Sequence, residues 1–204
     1  MLFRRIATTL GLAGALLAPA ASAPAAPAPA TSGPAASNPA TSRPAAVPAV
    51  SQRDAAFLMA AHQVNLAEIA AGRLAWFKTT DKGVKELAGM FMGDHIRLDA
   101  ALYNVARQLR VYLPDKPNAE QQALAARYEA AGADTFDEYF ISTQLAAHRE
   151  ALAMIEAAAE ESDARTVRRL AEDAIPVVEK HRDHLRQAAA AANMVGYADA
   201  GGRA

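Results

Sequence analysis

The sequence predicts an all-α domain built as a bundle of four long helices. Hydrophobic residues make up 52% of the chain, but aromatic residues only 6%. Alanine supplies much of that apolar fraction, and it is the strongest helix former. From residue 51 onward, apolar side chains recur at helical spacing over stretches far longer than a strand. Composition and periodicity therefore both indicate helices that pack closely through small side chains.

The predicted helices are separated by residues that favour turns and helix caps. The four long helices are predicted at 52–77, 82–111, 135–160 and 163–194, and a short helix at 119–130. Asn118 is the predicted N-cap of the short helix. Asp134 or Thr135 is expected to cap the third long helix, and Ser162 or Asp163 the fourth.

The first 23 residues have the organisation of an export signal. Arg4 and Arg5 precede an apolar run at 6–18, and residues 21–23 read Ala-Ser-Ala, a small-residue cleavage motif. Segment 1–23 is therefore predicted to be a signal peptide that is removed on export. The mature protein is expected in the periplasm or secreted.

Composition divides the rest of the chain into three segments. Residues 24–50 are almost entirely Ala, Pro, Ser and Thr, which predicts a disordered linker because nothing in it can form a core. The helical bundle is predicted over 51–195, a common size for a single domain. Residues 196–204 are predicted to form a disordered tail.

Charge and cysteine content exclude several classes of function. The 21 Lys and Arg residues are balanced by 22 Asp and Glu residues, so no excess of cations is present to neutralise the phosphates of nucleic acid. Apolar stretches beyond the signal are too short for a transmembrane domain. The absence of cysteine excludes disulfides, thiolate nucleophiles and iron–sulfur clusters. An envelope partner and the oligomeric state stay open.

Each long helix carries one ionisable side chain inside its apolar stripe. These residues are Glu68, His95, His148 and His181. A buried carboxylate without a partner is costly, so Glu68 is expected to meet a cation, a hydrogen-bonding network or a proton. The three imidazoles can supply such partners.

The positions of these four residues along their helices predict that they meet. Each lies about 12 to 13 residues from a helix end, and a helix rises about 1.5 Å per residue. All four share one layer if the segment 113–134 crosses the length of the bundle, so that the second and third long helices run parallel. The sequence therefore predicts a metal site at Glu68, His95, His148 and His181 or, without metal, a buried polar network.

Other acidic and histidine residues flank these stripes. Asp94, Asp99 and Asp183 can act as acceptors that orient the imidazoles, although solvated surface charge is the favoured interpretation for them. His62 and His184 lie at the edges of the stripes. Both are expected to be partly exposed rather than to bind metal.

Several blocks of the sequence resemble a known bacterial exported family, the domain of unknown function 4142. The blocks are Asp54-Ala55-Ala56-Phe57, Glu68-Ile69-Ala70, Val84-Lys85-Glu86-Leu87-Ala88, Asp94-His95, Thr135-Phe136-Asp137 with His148, and Leu170-Ala171 with Pro176 and His181. They extend over about residues 52–190. The resemblance implies a ferritin-like bundle with a long crossover that carries the short helix, and it implies export, but no activity.

The candidate ligands differ from those of di-iron ferritin-like proteins, which use Glu-x-x-His pairs. Met92 lies three residues before His95, and Val178 three residues before His181. His148 stands where a glutamate is expected. A set of histidines with one glutamate is better suited to a single Zn, Cu, Ni or Fe ion.

Three functions remain compatible with the sequence. The first is an exported helical-bundle protein of uncharacterised activity that binds a metal ion in its core. The second is a metal-dependent oxidoreductase of the cell envelope that uses the same residues. The third is an envelope interaction or scaffold module without metal. The sequence contains no recognisable nucleophile–base pair and no phosphate-binding loop. These motifs therefore do not decide whether the protein is an enzyme.

Overall fold

The computed structural model describes residues 50–194. They form five α-helices: α1 (Gln52–Lys78), α2 (Lys82–Leu109), α3 (Ala119–Ala130), α4 (Ala133–Glu161) and α5 (Arg165–Ala191). No strand occurs in this part of the chain, so the all-α prediction is confirmed for it. The predicted signal at 1–23, nearly all of the predicted linker and the predicted tail at 196–204 lie outside the described residues.

The helices begin and end close to the predicted positions, with differences that have local causes. The N-cap side chain of α3 is Asn118, as predicted, and it forms a capping box with Gln121. Helix α2 ends at Leu109 instead of residue 111 because Arg110 adopts a left-handed conformation with φ 57°. Helix α4 begins at Ala133 after Gly132, so Asp134 and Thr135 lie in its first turn. Their prediction as caps is wrong.

The N-terminus of α5 is capped by a residue of α1 rather than by its own sequence. Ser162 and Asp163 were predicted as caps, but the N-cap position is Ala164, which has no side-chain acceptor. Instead, the carboxylate of Asp54 accepts hydrogen bonds from the backbone N–H groups of Ala164 at 2.8 Å and Asp163 at 3.3 Å. Asp54 is fully buried. A negative charge is favourable there because it faces the positive end of the helix dipole.

We expect Asp54→Ala to lower the free energy of unfolding by about 2–3 kcal/mol, because it removes a helix cap and leaves buried N–H groups without acceptors. Chemical denaturation of the purified protein measures the change. Asp163→Ala is the matched control, since Asp163 is exposed and its side chain caps nothing. Equal losses in the two variants would contradict the role of Asp54.

The five helices form a bundle whose interior contains two hydrophobic clusters. Helix α1 packs on α2 and α4 packs on α5, while α2 also contacts α5, and α1 also contacts α4. Helix α3 lies against α1 and α4. One cluster includes Phe91, Tyr128 and Phe140, and the other includes Phe57 and Leu152.

Buried polar residues lie between the two clusters on every long helix. On α2, for example, Phe91 belongs to one cluster and Leu102 to the other, and the buried His95 lies between them. We call this set the polar layer, and its members are Asn65, Glu68, His95, Gln144, His148 and His181. Each of the four residues predicted as inward-facing is therefore buried.

Helix α3 is held against the bundle at both ends. The ammonium group of Lys78 donates to the backbone carbonyl groups of Tyr128, at 2.9 Å, and of Glu129. At the other end, the amide of Gln63 donates to the backbone carbonyl of Lys116 at 3.2 Å. The Tyr128 side chain is 1% exposed and anchors α3 in the aromatic part of the core.

The side chain of Trp76 near the end of α1 is 44% exposed. Its ring lies over Gly89 of α2, where a Cβ atom would come within 3.2 Å of it. Helices α1 and α2 approach closely near this point, since a Cβ atom on Gly72 would lie 2.8 Å from the carbonyl oxygen of Ala88. None of the helices within 50–194 has an apolar stretch long enough to span a membrane.

Candidate metal centre

Three histidines from three helices converge in the polar layer. One ring nitrogen from each of His95, His148 and His181 lies within 4.8 Å of the other two. Their ring centroids are 5.3–5.9 Å apart, and the residues are between 0 and 3% exposed. We call these three residues the imidazole cluster.

In each imidazole one ring nitrogen faces a hydrogen-bond acceptor. His95 Nδ1 lies 2.9 Å from Asn65 Oδ1, and His181 Nε2 lies 2.9 Å from Asp94 Oδ2. His148 Nδ1 lies 3.0 Å from the backbone carbonyl of Gln144. Because a carbonyl or carboxylate oxygen can only accept, these contacts favour the tautomers that carry the proton on the nitrogen facing the oxygen.

The remaining three nitrogens then carry lone pairs. His148 Nε2 and His181 Nδ1 face each other at 3.3 Å, and neither has a proton to donate in these tautomers. His95 Nε2 is buried and has no hydrogen-bond partner among the described residues. Unsatisfied buried nitrogens are rare, and a group of converging lone pairs can accept a cation.

The distances suit a metal ion of ordinary size. With metal–nitrogen bonds of about 2.0–2.1 Å in tetrahedral geometry, two ligand nitrogens lie about 3.3 Å apart. The His148–His181 pair has that separation already. One ring nitrogen of His95 lies within 4.8 Å of a ring nitrogen of each of the other two, so a movement of roughly 2 Å or less brings it to the same separation.

Glu68 lies next to the imidazole cluster rather than in it. It is 6% exposed, and the amide orientation of Gln144 that satisfies its neighbours directs the nitrogen at the two carboxylate oxygens, at 2.9 and 3.2 Å. The same nitrogen is 3.2 Å from His148 Nδ1. Of the four residues predicted to meet, three therefore converge directly, and Glu68 reaches them through Gln144.

Burial favours the uncharged form of Glu68, His95 and His148, so it raises the pKa of the carboxyl group and lowers the pKa of the imidazoles. Burial raises the pKa of Glu68 to about 8, although the hydrogen bond from Gln144 opposes the shift. Burial, together with repulsion from His181, lowers the pKa of His148 to about 3. The pKa of His95 also falls well below its usual value, through burial and repulsion from the other two imidazoles. At neutral pH the imidazoles are thus uncharged, which is the form that binds metal.

His181 differs from the other two imidazoles because it contacts a carboxylate. Burial lowers the pKa of His181, and the hydrogen bond and charge of Asp94 oppose the shift. For Asp94, burial alone would raise the pKa, but the contacts with His181 and Arg97 outweigh it, so the pKa is lowered. Asp94 therefore stays ionised and fixes the orientation of the His181 ring.

Of the other acidic residues that flank the helix stripes, Asp99 is hydrogen-bonded to the polar layer and Asp183 is not. Asp99 accepts hydrogen bonds from His62 Nδ1 at 2.7 Å and from Asn65 Nδ2 at 3.3 Å, and it thereby orients the acceptor of His95. Asp183 pairs with Arg186 on the surface, which agrees with its interpretation as a solvated surface charge. The prediction that His62 is partly exposed is wrong, since its contact with Asp99 buries it, whereas His184 is half-buried.

Sequence reasoning missed two members of the polar layer, Asn65 and Gln144. Both are uncharged, whereas the inward-facing candidates in the sequence are all ionisable. The spacing carries a signal, because Asn65 lies three residues before Glu68, and Gln144 lies four residues before His148. Residues with these spacings share one helix face.

The model of a family described as Domain of unknown function (DUF4142) matches residues 39–188. The chain belongs to the DUF4142 family. The resemblance seen in the sequence is thus confirmed, and the match covers the whole polar layer of this DUF4142 chain. It begins at residue 39, within the segment predicted as a linker. No curated protein and no solved structure matches the chain.

Proposed function

We propose that this DUF4142 protein binds one transition-metal ion in its core through His95, His148 and His181. The observation that carries the proposal is the arrangement of the ring nitrogens. Each imidazole holds one ring nitrogen against an oxygen acceptor, the other nitrogens of His148 and His181 face each other at 3.3 Å, and one ring nitrogen of each of the three histidines lies within 4.8 Å of the other two. Metal-binding histidines almost always have such a second hydrogen bond.

The chemistry of the donors narrows the choice of metal. Neutral imidazoles suit Zn, Cu, Ni and Fe, and three of them leave one position of a four-coordinate ion open for another ligand. A buried cation also needs negative charge nearby. Asp94 contacts His181 directly, and Asp99 connects to His95 through Asn65.

The proposed architecture is a ferritin-like bundle of four long helices in which α3 lies within a long crossover. Two contacts support it. Asp54 near the start of α1 caps α5 just after the end of α4, and Lys78 at the end of α1 bonds the last turn of α3, just before α4. Helices α2 and α4 then start at the same end of the bundle and run parallel.

Export is the proposed location, supported by Arg4, Arg5 and the apolar run at 6–18. We expect the native protein to be periplasmic or secreted and to begin a few residues either side of position 23. Intact-mass measurement of protein from fractionated cells tests this. Full-length chain that begins at Met1 in the cytoplasm would refute it.

The metal-free scaffold is the second candidate, and one distance favours it. With the Gln144 nitrogen 3.2 Å from His148 Nδ1, that amide can donate to His148. His148 then carries its proton on Nε2 and donates to His181 Nδ1, which closes a hydrogen-bond network without a cation. His95 Nε2 stays without a partner in that arrangement. Metal binding would give a partner to His95 Nε2 as well as to His148 Nε2 and His181 Nδ1, so we prefer it to the metal-free scaffold.

Metal content of matched variants tests the proposal. We expect wild-type protein to hold about one metal ion per chain by elemental mass spectrometry after loading with Zn, Cu, Ni or Fe salts and removal of excess. His181→Gln is expected to lower the content by about tenfold or more, because two imidazoles bind weakly. His184→Gln is the same change one turn away on α5, and it should keep the metal.

Circular dichroism of both variants shows whether the helices are retained. Equal metal content in the two variants, or none in the wild type with any of the four salts, would refute the metal centre. The second result, with intact helices, would favour the hydrogen-bond network of the scaffold.

A further inference from the structure

A second site lies on the other side of Glu68, in a cavity enclosed by α1, α3 and α4. Its volume is about 390 Å³, which is within the range of small-molecule pockets. Small side chains on α1 and α4 leave this space open, among them Ala60, Ala67, Ala147 and Ala151. Leu124 of α3 contributes to the apolar wall opposite them.

The inner wall of the cavity is polar and buried. It contains Glu68, Gln144 and Tyr128, which are 6%, 1% and 1% exposed. The Gln144 amide donates to Glu68, and the Tyr128 hydroxyl bonds to Thr143. Of these three residues Glu68 is the one that ionises closest to neutral pH, since burial raises its pKa to about 8, so the inner end is negatively charged above that pH.

The exposed residues that line the cavity carry more negative than positive charge. Glu120 and Glu150 line it and are exposed, and Arg127 is the one basic residue among its lining residues. Two exposed carboxylates thus face one guanidinium, and Glu68 adds a third negative charge where the pH exceeds its raised pKa of about 8. This charge pattern disfavours an anionic ligand and attracts a cationic one.

The walls of the cavity are held in place. Helix α3 is fixed by the bond from Gln63 to Lys116 before its start and by the bonds from Lys78 near its end. Tyr128, which is buried, anchors the inner end of the cavity. The space between α3 and the long helices is therefore bounded by fixed contacts on both sides, as in a preformed binding site.

We propose that this cavity binds an organic ammonium ion with a short apolar body, whose charged end faces Glu68. The apolar body fits the alanine-rich walls and Leu124, and the ammonium group supplies the donor hydrogens that a buried carboxylate needs. The site does not depend on the metal, because none of its lining residues belongs to the imidazole cluster.

Three probes of equal length separate the ligand classes. Isothermal titration with n-hexylammonium chloride, 1-hexanol and sodium hexanoate uses the full chain after chelator treatment, so that no metal contributes, and is run at about pH 9, where Glu68 is ionised. We expect hexylammonium to bind saturably and about tenfold more tightly than hexanol, since a hydrogen bond to a charged group contributes more than a neutral one. Hexanoate is expected to bind most weakly.

Variants of the wall test where the probe binds. Glu68→Gln removes the charge and should weaken hexylammonium binding by about tenfold, with much less effect on hexanol. Ala147→Leu fills part of the cavity and should weaken both probes. Ala157→Leu is the matched change at an exposed position of the same helix, and it should leave binding unaltered. Ala67→Leu on α1 replaces Ala147→Leu if that variant does not fold.

Four outcomes would overturn the proposal. They are equal affinity for hexanol and hexylammonium, tightest binding of hexanoate, no binding of any probe, or unchanged hexylammonium binding in Glu68→Gln. Repeating the titration with His181→Gln separates this site from the metal centre. In this variant, loss of metal with retained ammonium binding would leave both proposals intact. Loss of metal and of ammonium binding together would show that the cavity depends on the imidazole cluster, and it would refute this proposal alone.

Discussion

Phe91→Ala is expected to lower the free energy of unfolding by about 3–5 kcal/mol, the usual cost of removing a large aromatic side chain from a core. Phe91 is fully buried. Its ring centroid lies 4.8 Å from those of both His148 and His181, and 6.4 Å from that of Phe140. The side chain thus connects one hydrophobic cluster to the imidazole cluster. Its removal leaves a cavity beside two imidazoles.

Two control substitutions define how the Phe91 result is interpreted. Phe91→Leu keeps most of the volume and should cost less than about half as much. Phe77→Ala makes the same change at a side chain that is 77% exposed, and it should stay within about 0.5 kcal/mol of the wild type. Chemical denaturation of metal-free protein measures all three. A loss in Phe91→Ala no larger than that in Phe77→Ala would contradict the packing described for this ring.

Glu68→Gln is expected to change how stability depends on pH in the metal-free protein. Burial raises the pKa of Glu68 from 4.5 to about 8 in the folded state. Between these values the folded protein keeps a proton that the unfolded chain releases. The contribution of Glu68 to stability is therefore fully present below pH 4.5 and is lost as the pH rises towards 8. The slope approaches about 1.4 kcal/mol per pH unit.

Glutamine cannot ionise, so the variant lacks this loss. We expect the stability of Glu68→Gln, relative to the wild type, to increase from pH 5 to pH 8 by roughly 3–4 kcal/mol and to level off above that. His148 contributes the opposite slope between about pH 3 and 6.5, because its folded-state pKa is lowered. That slope is present in both proteins and cancels in the difference.

Glu120→Gln makes the same change at an exposed glutamate of α3 and is the matched control for the loss of a carboxyl group. Glu68→Ala should be less stable than Glu68→Gln below pH 5, since it leaves a cavity and an unpaired Gln144 amide. Parallel stability curves for the wild type and Glu68→Gln between pH 5 and 8 would show that Glu68 is already ionised in the folded protein.

Periodicity in the sequence was sufficient to predict the helices and the burial of Glu68, His95, His148 and His181. Local signals suffice for such features, because an apolar stripe fixes which face of a helix turns inward. The start of α3 at Asn118 was predicted for the same reason, since the cap and the residue that it bonds are three positions apart.

The errors concern contacts between residues that are distant in the sequence. The cap of α5 comes from Asp54, 110 positions before Ala164, and no local pattern around Ser162 or Asp163 indicates that. The bond between Gln144 and Glu68 also depends on how α1 and α4 pack.

The polar layer also has a consequence for the alignment of the helices. A long helix that slides along its neighbour by one turn, about 5.4 Å, keeps most of its apolar contacts, so hydrophobic packing alone distinguishes poorly between such shifted arrangements. Here a shift of any long helix would carry its polar side chain into one of the two hydrophobic clusters and leave it without hydrogen bonds. That penalty makes one alignment of the four helices more stable than its neighbours. The buried imidazoles and amides thus select the register in which this alanine-rich chain folds.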